Sequence, residues 1–120
     1  MRPSGSAALK SRAAVFAALG DTTRLTVFGR LSDGAPQSIS RLTAGTRLTR
    51  QAMTKHLRVL ESAGVVRSAR AGRETLFALE PKPIDDIRQY LDAVSAQWDD
   101  ALARLKSFVE DCECSDEMDQ

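Results

Sequence analysis

Between Ser38 and Pro81 the chain leaves no room for a linker. The stretch reads SISRLTAGTRLTRQAMTKHLRVLESAGVVRSARAGRETLFALE over 38–80. Ser38 and Thr49 each stand directly before a helical pattern, where a hydroxyl can accept from the free N–H groups of a first turn. Gly45 and Gly64 stand where those two patterns stop. The spacing predicts a short helix carrying Ile39 and Leu42, a turn plugged by a buried Leu48, and a longer helix over about 50–63. Met53, Leu57 and Leu60, four and three apart, form the inward stripe of that longer helix. Arg50, Gln51, Thr54, Lys55 and Arg58 are left on the other face.

After Gly64 the apolar period shortens from 3.6 to about 2. Residues 65–69 and 74–79 read as two strands, with Leu76 and Leu79 as apolar positions. Arg70-Ala71-Gly72-Arg73 is the hairpin tip, and Gly72 supplies the positive φ that a tight turn needs. Pro81 and Pro83 are expected to break the chain again. Upstream, residues 1–6 read as a disordered lead-in. A helix over 7–19 carries Leu9, Ala13, Phe16 and Ala17 at helical spacing and stops at Gly20. Asp21 caps the next helix, which runs to about Ser32 with Leu25, Val27, Phe28 and Leu31 inward. Asp33-Gly34-Ala35-Pro36 is a turn.

The last element is a long helix over about 84–110. Ile84, Ile87, Leu91, Val94, Trp98, Ala101, Leu105 and Phe108 step alternately by three and four, a coiled-coil-like seam that Leu102 and Val109 widen. Such a seam on the last helix of a 120-residue chain calls for a partner. Leu9, Ala13, Phe16, Leu91, Val94, Trp98, Leu102 and Leu105 are the expected homodimer interface. Residues 111–120, DCECSDEMDQ, read as an acidic, disordered tail, leaving 7–110 as one domain.

The fold class that follows is mainly α: a winged helix-turn-helix with four N-terminal helices, a two-stranded β-wing and a long C-terminal dimerisation helix. Charge points to what it binds. Eight Lys or Arg fall between positions 41 and 73, against Glu61 alone as an acid. Residues 1–80 carry 13 basic and 5 acidic side chains, +8, while residues 81–120 carry 4 and 11, −7. A basic body of this shape suits double-stranded DNA. The N-terminal turn of a helix like 50–63 fits the major groove, where Arg50 can pair with guanine and Gln51 with adenine. Ser38, Thr49 and Thr54 can reach a base or a phosphate, and Lys55 and Arg58 lie where phosphates pass. Arg70 and Arg73 reach the flanking backbone or minor groove. His56 can touch a phosphate or complete the helix packing.

Other functions find little support. One histidine and no body cysteine cannot build a metal site or a catalytic triad, and no P-loop or GxGxxG is present. Neither an enzyme nor a cofactor or metal is expected. No stretch approaches a membrane span or a signal sequence, so the expected compartment is the cytoplasm. Two alternatives stand beside the DNA reading. One is a protein-interaction module whose basic face binds an acidic partner. The other is a thiol- or metal-responsive repressor using Cys112 and Cys114, whose anionic neighbours lower the thiolate fraction.

Three segments together carry a family resemblance: ALGDTTRL (18–25), SISRL…LTRQAMTKHLRVLESAGVV (38–66) and RAGRETLFAL (70–79). The chain resembles the ArsR-type winged-helix transcriptional repressors over about residues 9–110. The resemblance implies a homodimer formed through the first and last helices, a recognition helix at 50–63, repression of its own operon, and release by an inducer. Metal-sensing members carry a Cys-x-Cys on the helix written here SISRLTAG, or zinc ligands including His on the last helix, and this chain has neither. It is similar to the metal-independent subgroup, often encoded beside a small START-like protein, whose effector is unknown. Asp21-Thr22-Thr23-Arg24 stands where Asp-Pro-Thr-Arg is usual.

Overall fold

The computed structural model describes the backbone of residues 5–119 and the side chains of residues 7–112. In chain order the elements are α1 (Gly5–Leu19), α2 (Thr22–Leu31), β1 (Gln37–Ser38), α3 (Ile39–Thr43), α4 (Arg50–Ser62), β2 (Val66–Ala71), β3 (Glu74–Leu79) and α5 (Pro81–Asp119). Contacts divide the chain into two compact units, one ending at Asp86 and one beginning at Ile87. The first turns of α5 therefore belong to the first unit.

Side-chain caps start three of the helices. The Asp21 carboxylate accepts from the N–H of Thr23 and Arg24 at 2.9 and 3.1 Å. Ser38 Oγ accepts from Arg41 N–H at 3.1 Å, and Thr49 Oγ1 from Ala52 N–H at 3.0 Å. Each satisfies donors that a helix start leaves without partners. At the other end of α3, the Arg30 guanidinium donates to the carbonyls of Leu42 and Ala44 at 3.0 and 3.3 Å. A cation there also meets the negative pole of the helix.

The core of the first unit forms where α4 meets α1, α2 and α3. Met53, Leu57 and Leu60 are buried along one side of α4, as their spacing predicts. Val15 and Ala18 of α1, Val27 and Leu31 of α2, and Leu42 of α3 are buried as well, with Val65, Val66 and Phe77 from the sheet side. No buried polar or charged residue is found among the described residues.

Several expectations need correction. The sheet has three strands, not two. β1 pairs antiparallel with β3, Gln37 opposite Phe77 and Ser38 opposite Leu76, so β3 is central in the order β1-β3-β2. A two-residue strand has no period to read, and β3 alone makes it one. On β3 the buried residue is Phe77, while Leu76 and Leu79 are half-buried. β2 extends to Ala71, which pairs with Glu74, so the turn is only Gly72-Arg73. Gly72 has φ +66 and Arg73 is not positive, the pattern of a turn with glycine at its first central position. Leu25 is exposed rather than inward, and Leu48 is half-buried, an incomplete plug. Pro81 and Pro83 do not break the chain but open α5, because a first helical turn needs no N–H from either. α5 runs to Asp119 where an end near 110 was expected. α1 begins at Gly5, within the expected lead-in, of which residues 1–4 lie outside the described part.

In the second unit, taken by itself, Ile87 is buried and Ala101 half-buried, while most of the seam beyond Ile87 lies open. Leu91, Val94, Trp98, Leu102, Leu105 and Phe108 are all exposed, Trp98 at 61%. Leu9, Ala13 and Phe16 of α1 are exposed too.

Leu57 is fully buried, so Leu57→Ala leaves a cavity at the centre of the first unit. The expected loss is about 2–5 kcal/mol of unfolding free energy, read as a lower urea midpoint at unchanged slope. A loss below about 1 kcal/mol would mean that the α4 stripe does not hold the core.

Candidate nucleic-acid interface

The candidate surface is built on three pieces of backbone. The α3–α4 turn and the first turn of α4 present Arg47, Thr49, Arg50 and Gln51, all exposed. The outer face of α4 continues with Lys55 and Arg58, also exposed. The β2–β3 wing carries Arg70 and Arg73 at its exposed end. The structure brings Ser38, Arg50 and Arg73 around one polar concavity of about 240 Å3, with Ile39, Ser40, Glu74 and Thr75 completing its wall. Residues 38, 50 and 73 are far apart in sequence; the pairing of β1 with β3 brings Ser38 toward the wing, and the packing of α4 on α3 adds Arg50.

Apart from Lys10 on α1 and Lys82 on α5, which make no hydrogen bond or ion pair with any described residue, the cations described in the first unit fall into two groups. Arg12, Arg24, Arg30 and Arg67 are committed: to Asp86, to the Ala18 carbonyl and His56, to the end of α3, and to Glu80. The side chains of Arg41, Arg47, Arg50, Lys55, Arg58, Arg70 and Arg73 make no hydrogen bond or ion pair with any described residue. An uncommitted guanidinium keeps its five donors for a phosphate or a guanine edge. Arg41 and Arg47 belong to this set although helix-face reasoning left them out of the site. Their charge was legible, but only the folded turn shows that no acid answers it.

The hydroxyl residues divide by what their hydrogens do. Thr54 Oγ1 donates to the Arg50 carbonyl at 2.7 Å and so has only acceptor capacity left for a ligand. Ser38 and Thr49 use their oxygens as helix caps, which leaves each O–H free to donate outward.

His56 faces the body. Its side chain is 23% exposed, with Nδ1 3.2 Å from an Arg24 guanidinium nitrogen and 3.7 Å from Asp21 Oδ2. Arg24 Nε also donates to the Ala18 carbonyl at 2.6 Å. One guanidinium thus ties the end of α1 and the start of α2 to the middle of α4. Of the two roles open to His56 in the sequence, the geometry is that of helix packing. Asp21 announced itself as a cap, but no local pattern links it to a histidine on α4. Cys112 is exposed, Cys114 lies outside the described side chains, and no group of three or more His, Cys, Asp or Glu able to hold a metal occurs among the described residues.

A helix-turn-helix with an exposed, basic second helix, flanked by a basic β-hairpin, is a winged-helix DNA-binding domain. Comparison with known proteins agrees. Residues 10–69 match the family model described as a helix-turn-helix domain. The HTH-type transcriptional regulator Rv2034 of Mycobacterium tuberculosis (strain ATCC 25618 / H37Rv) is 30% identical over 93 residues, 78% of this chain and 83% of that protein. YuzN of Bacillus subtilis (strain 168), an uncharacterized HTH-type transcriptional regulator, is 36% identical over 80 residues, 62% of this chain and 87% of that one. An ArsR-like transcriptional regulator from Rhodococcus sp. RHA1 superposes with a TM-score of 0.69 at 35% identity, covering 85% of this chain and 95% of that one. The chain belongs to the ArsR family of winged helix-turn-helix transcriptional regulators, a family of DNA-binding proteins rather than enzymes. None of the described helices is long and apolar enough to cross a membrane.

The Asp21 cap gives a pH test. Its carboxyl is held below the ordinary aspartate value of 3.8, first by the Arg24 backbone N–H, then by the Arg24 and His56 charges acting against partial burial. A depressed carboxylate stabilises the fold above its unfolded pKa, and that contribution disappears as pH falls through the folded one. Asp21→Asn is therefore expected to unfold at a lower temperature than wild type at pH 7, with the two Tm values converging below the ordinary carboxylate range. A constant difference down to strong acid would rule out the charged cap as its source.

Proposed function

We propose that the chain is a homodimeric, sequence-specific transcriptional repressor that binds an operator and regulates its own expression in the cytoplasm. Residues 7–110 form the DNA-binding and dimerisation domain in this reading, between a short lead-in and an acidic tail. The observation that carries it is the set of uncommitted cations on α3, α4 and the wing, gathered around the first turn of α4. That turn enters the major groove with Arg50 and Gln51 toward base edges. Lys55, Arg58, Arg70 and Arg73 hold phosphates and add counterion-release affinity. One acid, Glu74, lies among these cations in the wall of the concavity and makes no ion pair with any described cation, so the face keeps its excess of positive charge.

Dimerisation is supported by the exposed apolar seam of α5 and by the exposed Leu9, Ala13 and Phe16 of α1. Burying one Trp98 contributes about 2–3 kcal/mol. A winged-helix domain from Mycobacterium bovis with the same fold, 19% identical with a TM-score of 0.62, is described as homodimeric. Sedimentation at micromolar protein is expected to give twice the chain mass. Trp98→Glu puts a charge into the seam and is expected to shift the chain to monomer. A wild-type monomer that binds operator tightly would overturn the dimer.

The DNA reading is tested by substitution and salt. Arg50→Ala and Gln51→Ala are each expected to cost about 1–3 kcal/mol at the operator and to relax base preference. Arg73→Ala is expected to weaken all duplexes alike and to flatten the salt slope by about one unit. The operator is expected to hold two half-sites about one helical turn, or a multiple of it, apart. Equal loss of specific and random binding in Arg50→Ala would remove the α4 N-terminus from the groove. Absence of any steep salt dependence with random duplex would favour an acidic protein partner instead.

A further inference from the structure

The incomplete plug at Leu48 leaves a cavity of about 280 Å3 between α2, α3, the α3–α4 turn and α4. Its inner walls are apolar: Val27, Leu42, Leu48 and Met53. Of the polar groups beside them, the Thr22 and Thr23 hydroxyls make no hydrogen bond with any described residue, and three others are engaged. Thr26 Oγ1 donates to the Thr22 carbonyl at 2.9 Å, Thr46 Oγ1 to the Thr43 carbonyl at 2.6 Å, and Arg30 to the end of α3. No buried side-chain nitrogen or oxygen among the described residues lacks a partner. A water needs two to four polar partners to stay in such a space, and an apolar void of about 150 Å3 already takes benzene.

One wall residue is different. Arg47 is exposed, lines the cavity, and has no hydrogen bond or ion pair with any described residue. The first turn of α2, on the same wall, has its N–H groups engaged by Asp21 and so offers an anion little. An apolar chamber with one uncommitted guanidinium at its edge, and two threonine hydroxyls beside it, suits a small apolar body bearing one anionic group. We propose that this cavity binds a small monocarboxylate with an apolar body, of about ten non-hydrogen atoms, and that its occupation weakens DNA binding.

The link to DNA, which rests on the function proposed above, has two parts. The carboxylate and a DNA phosphate compete for the same Arg47. The apolar body touches Leu48 and Met53, which bracket Thr49 to Ala52, the turn that presents Arg50 and Gln51. A ligand wedged there bears on both ends of the base-reading turn without touching a base.

Benzoate is the probe, titrated into the full chain and followed by amide NMR. Saturable shifts are expected at Thr26, Thr46, Leu48 and Met53, half-complete below about 10 mM. Acetate, the charge without the body, is expected to give none. Arg47→Gln is expected to weaken benzoate about tenfold and to leave the neutral analogue benzyl alcohol unchanged. Thr26→Phe fills the mouth from an exposed position and is expected to abolish both; Thr22→Phe serves if that variant does not fold. No saturable benzoate shift, or equal binding to Arg47→Gln, would overturn the site. In a shift assay with the DNA upstream of its own gene, benzoate is expected to lower wild-type affinity more than acetate at equal ionic strength, and Thr26→Phe to remove the difference. Benzoate binding with unaltered DNA affinity would overturn the coupling. Failure to bind any duplex would instead count against the DNA reading, with the NMR result still deciding the site.

Discussion

The whole exposed basic face of α4 depends on that helix's inward stripe. Met53, Leu57 and Leu60 are removed from water by helices on several sides, and this fixes the rotation of α4 about its axis. A helix has one rotation that buries three apolar residues spaced four and three. Once it is taken, Arg50, Gln51, Lys55 and Arg58 have no choice but solvent. The exposed basic face is thus set by what the opposite face buries, and hydrophobic burial supplies the energy that holds a repelling row of cations in place.

Polar contacts refine that placement. Arg24 reaches the Ala18 carbonyl and His56 from a single side chain, with Asp21 beside it, so α1, α2 and α4 share a junction. Arg30 does similar service at the end of α3. These contacts hold fixed the angles between helices that apolar packing alone leaves adjustable, because a guanidinium's donors have directions and a methyl group has none. They also divide the arginines by task. Those facing the body are consumed in architecture; those facing outward are left with unspent hydrogen-bonding capacity and excess charge. The cavity under the turn belongs to the same logic. Leu48, half-buried, does not fill the space between α2, α3 and α4.

The two faces of the molecule that await partners differ in chemistry. The first unit shows unpaired positive charge on α3, α4 and the wing. The second shows an apolar seam on α5, whose exposed Trp98 and Phe108 are costly to leave in water. A polyanion suits the first, and in the proposed homodimer a second apolar helix covers the second. The first and last helices supply apolar surface, and the middle of the chain supplies charge.

Local chemistry settled a large part of this in advance. The caps Ser38, Thr49 and Asp21, the glycine stops, the α4 stripe and the seam of α5 are all written within one or two helical turns, because capping, periodicity and turn formation are short-range effects. The basic surface of α4 followed from the same stripe. Tertiary structure decided what depends on distant pairs. β1 exists only because β3 lies beside it. Leu25 and Leu76 have the hydrophobicity of core residues, but the space for full burial is taken by Val27 and Phe77. Ser38, Arg50 and Arg73 meet only when the sheet closes and α4 packs on α3. The contact between His56 and Arg24, 32 residues earlier, has no local pattern to announce it. Periodicity tells which side of a helix is apolar; which side chain fills a given space, and which cation finds an acid, is fixed only when separate elements compete for the same volume.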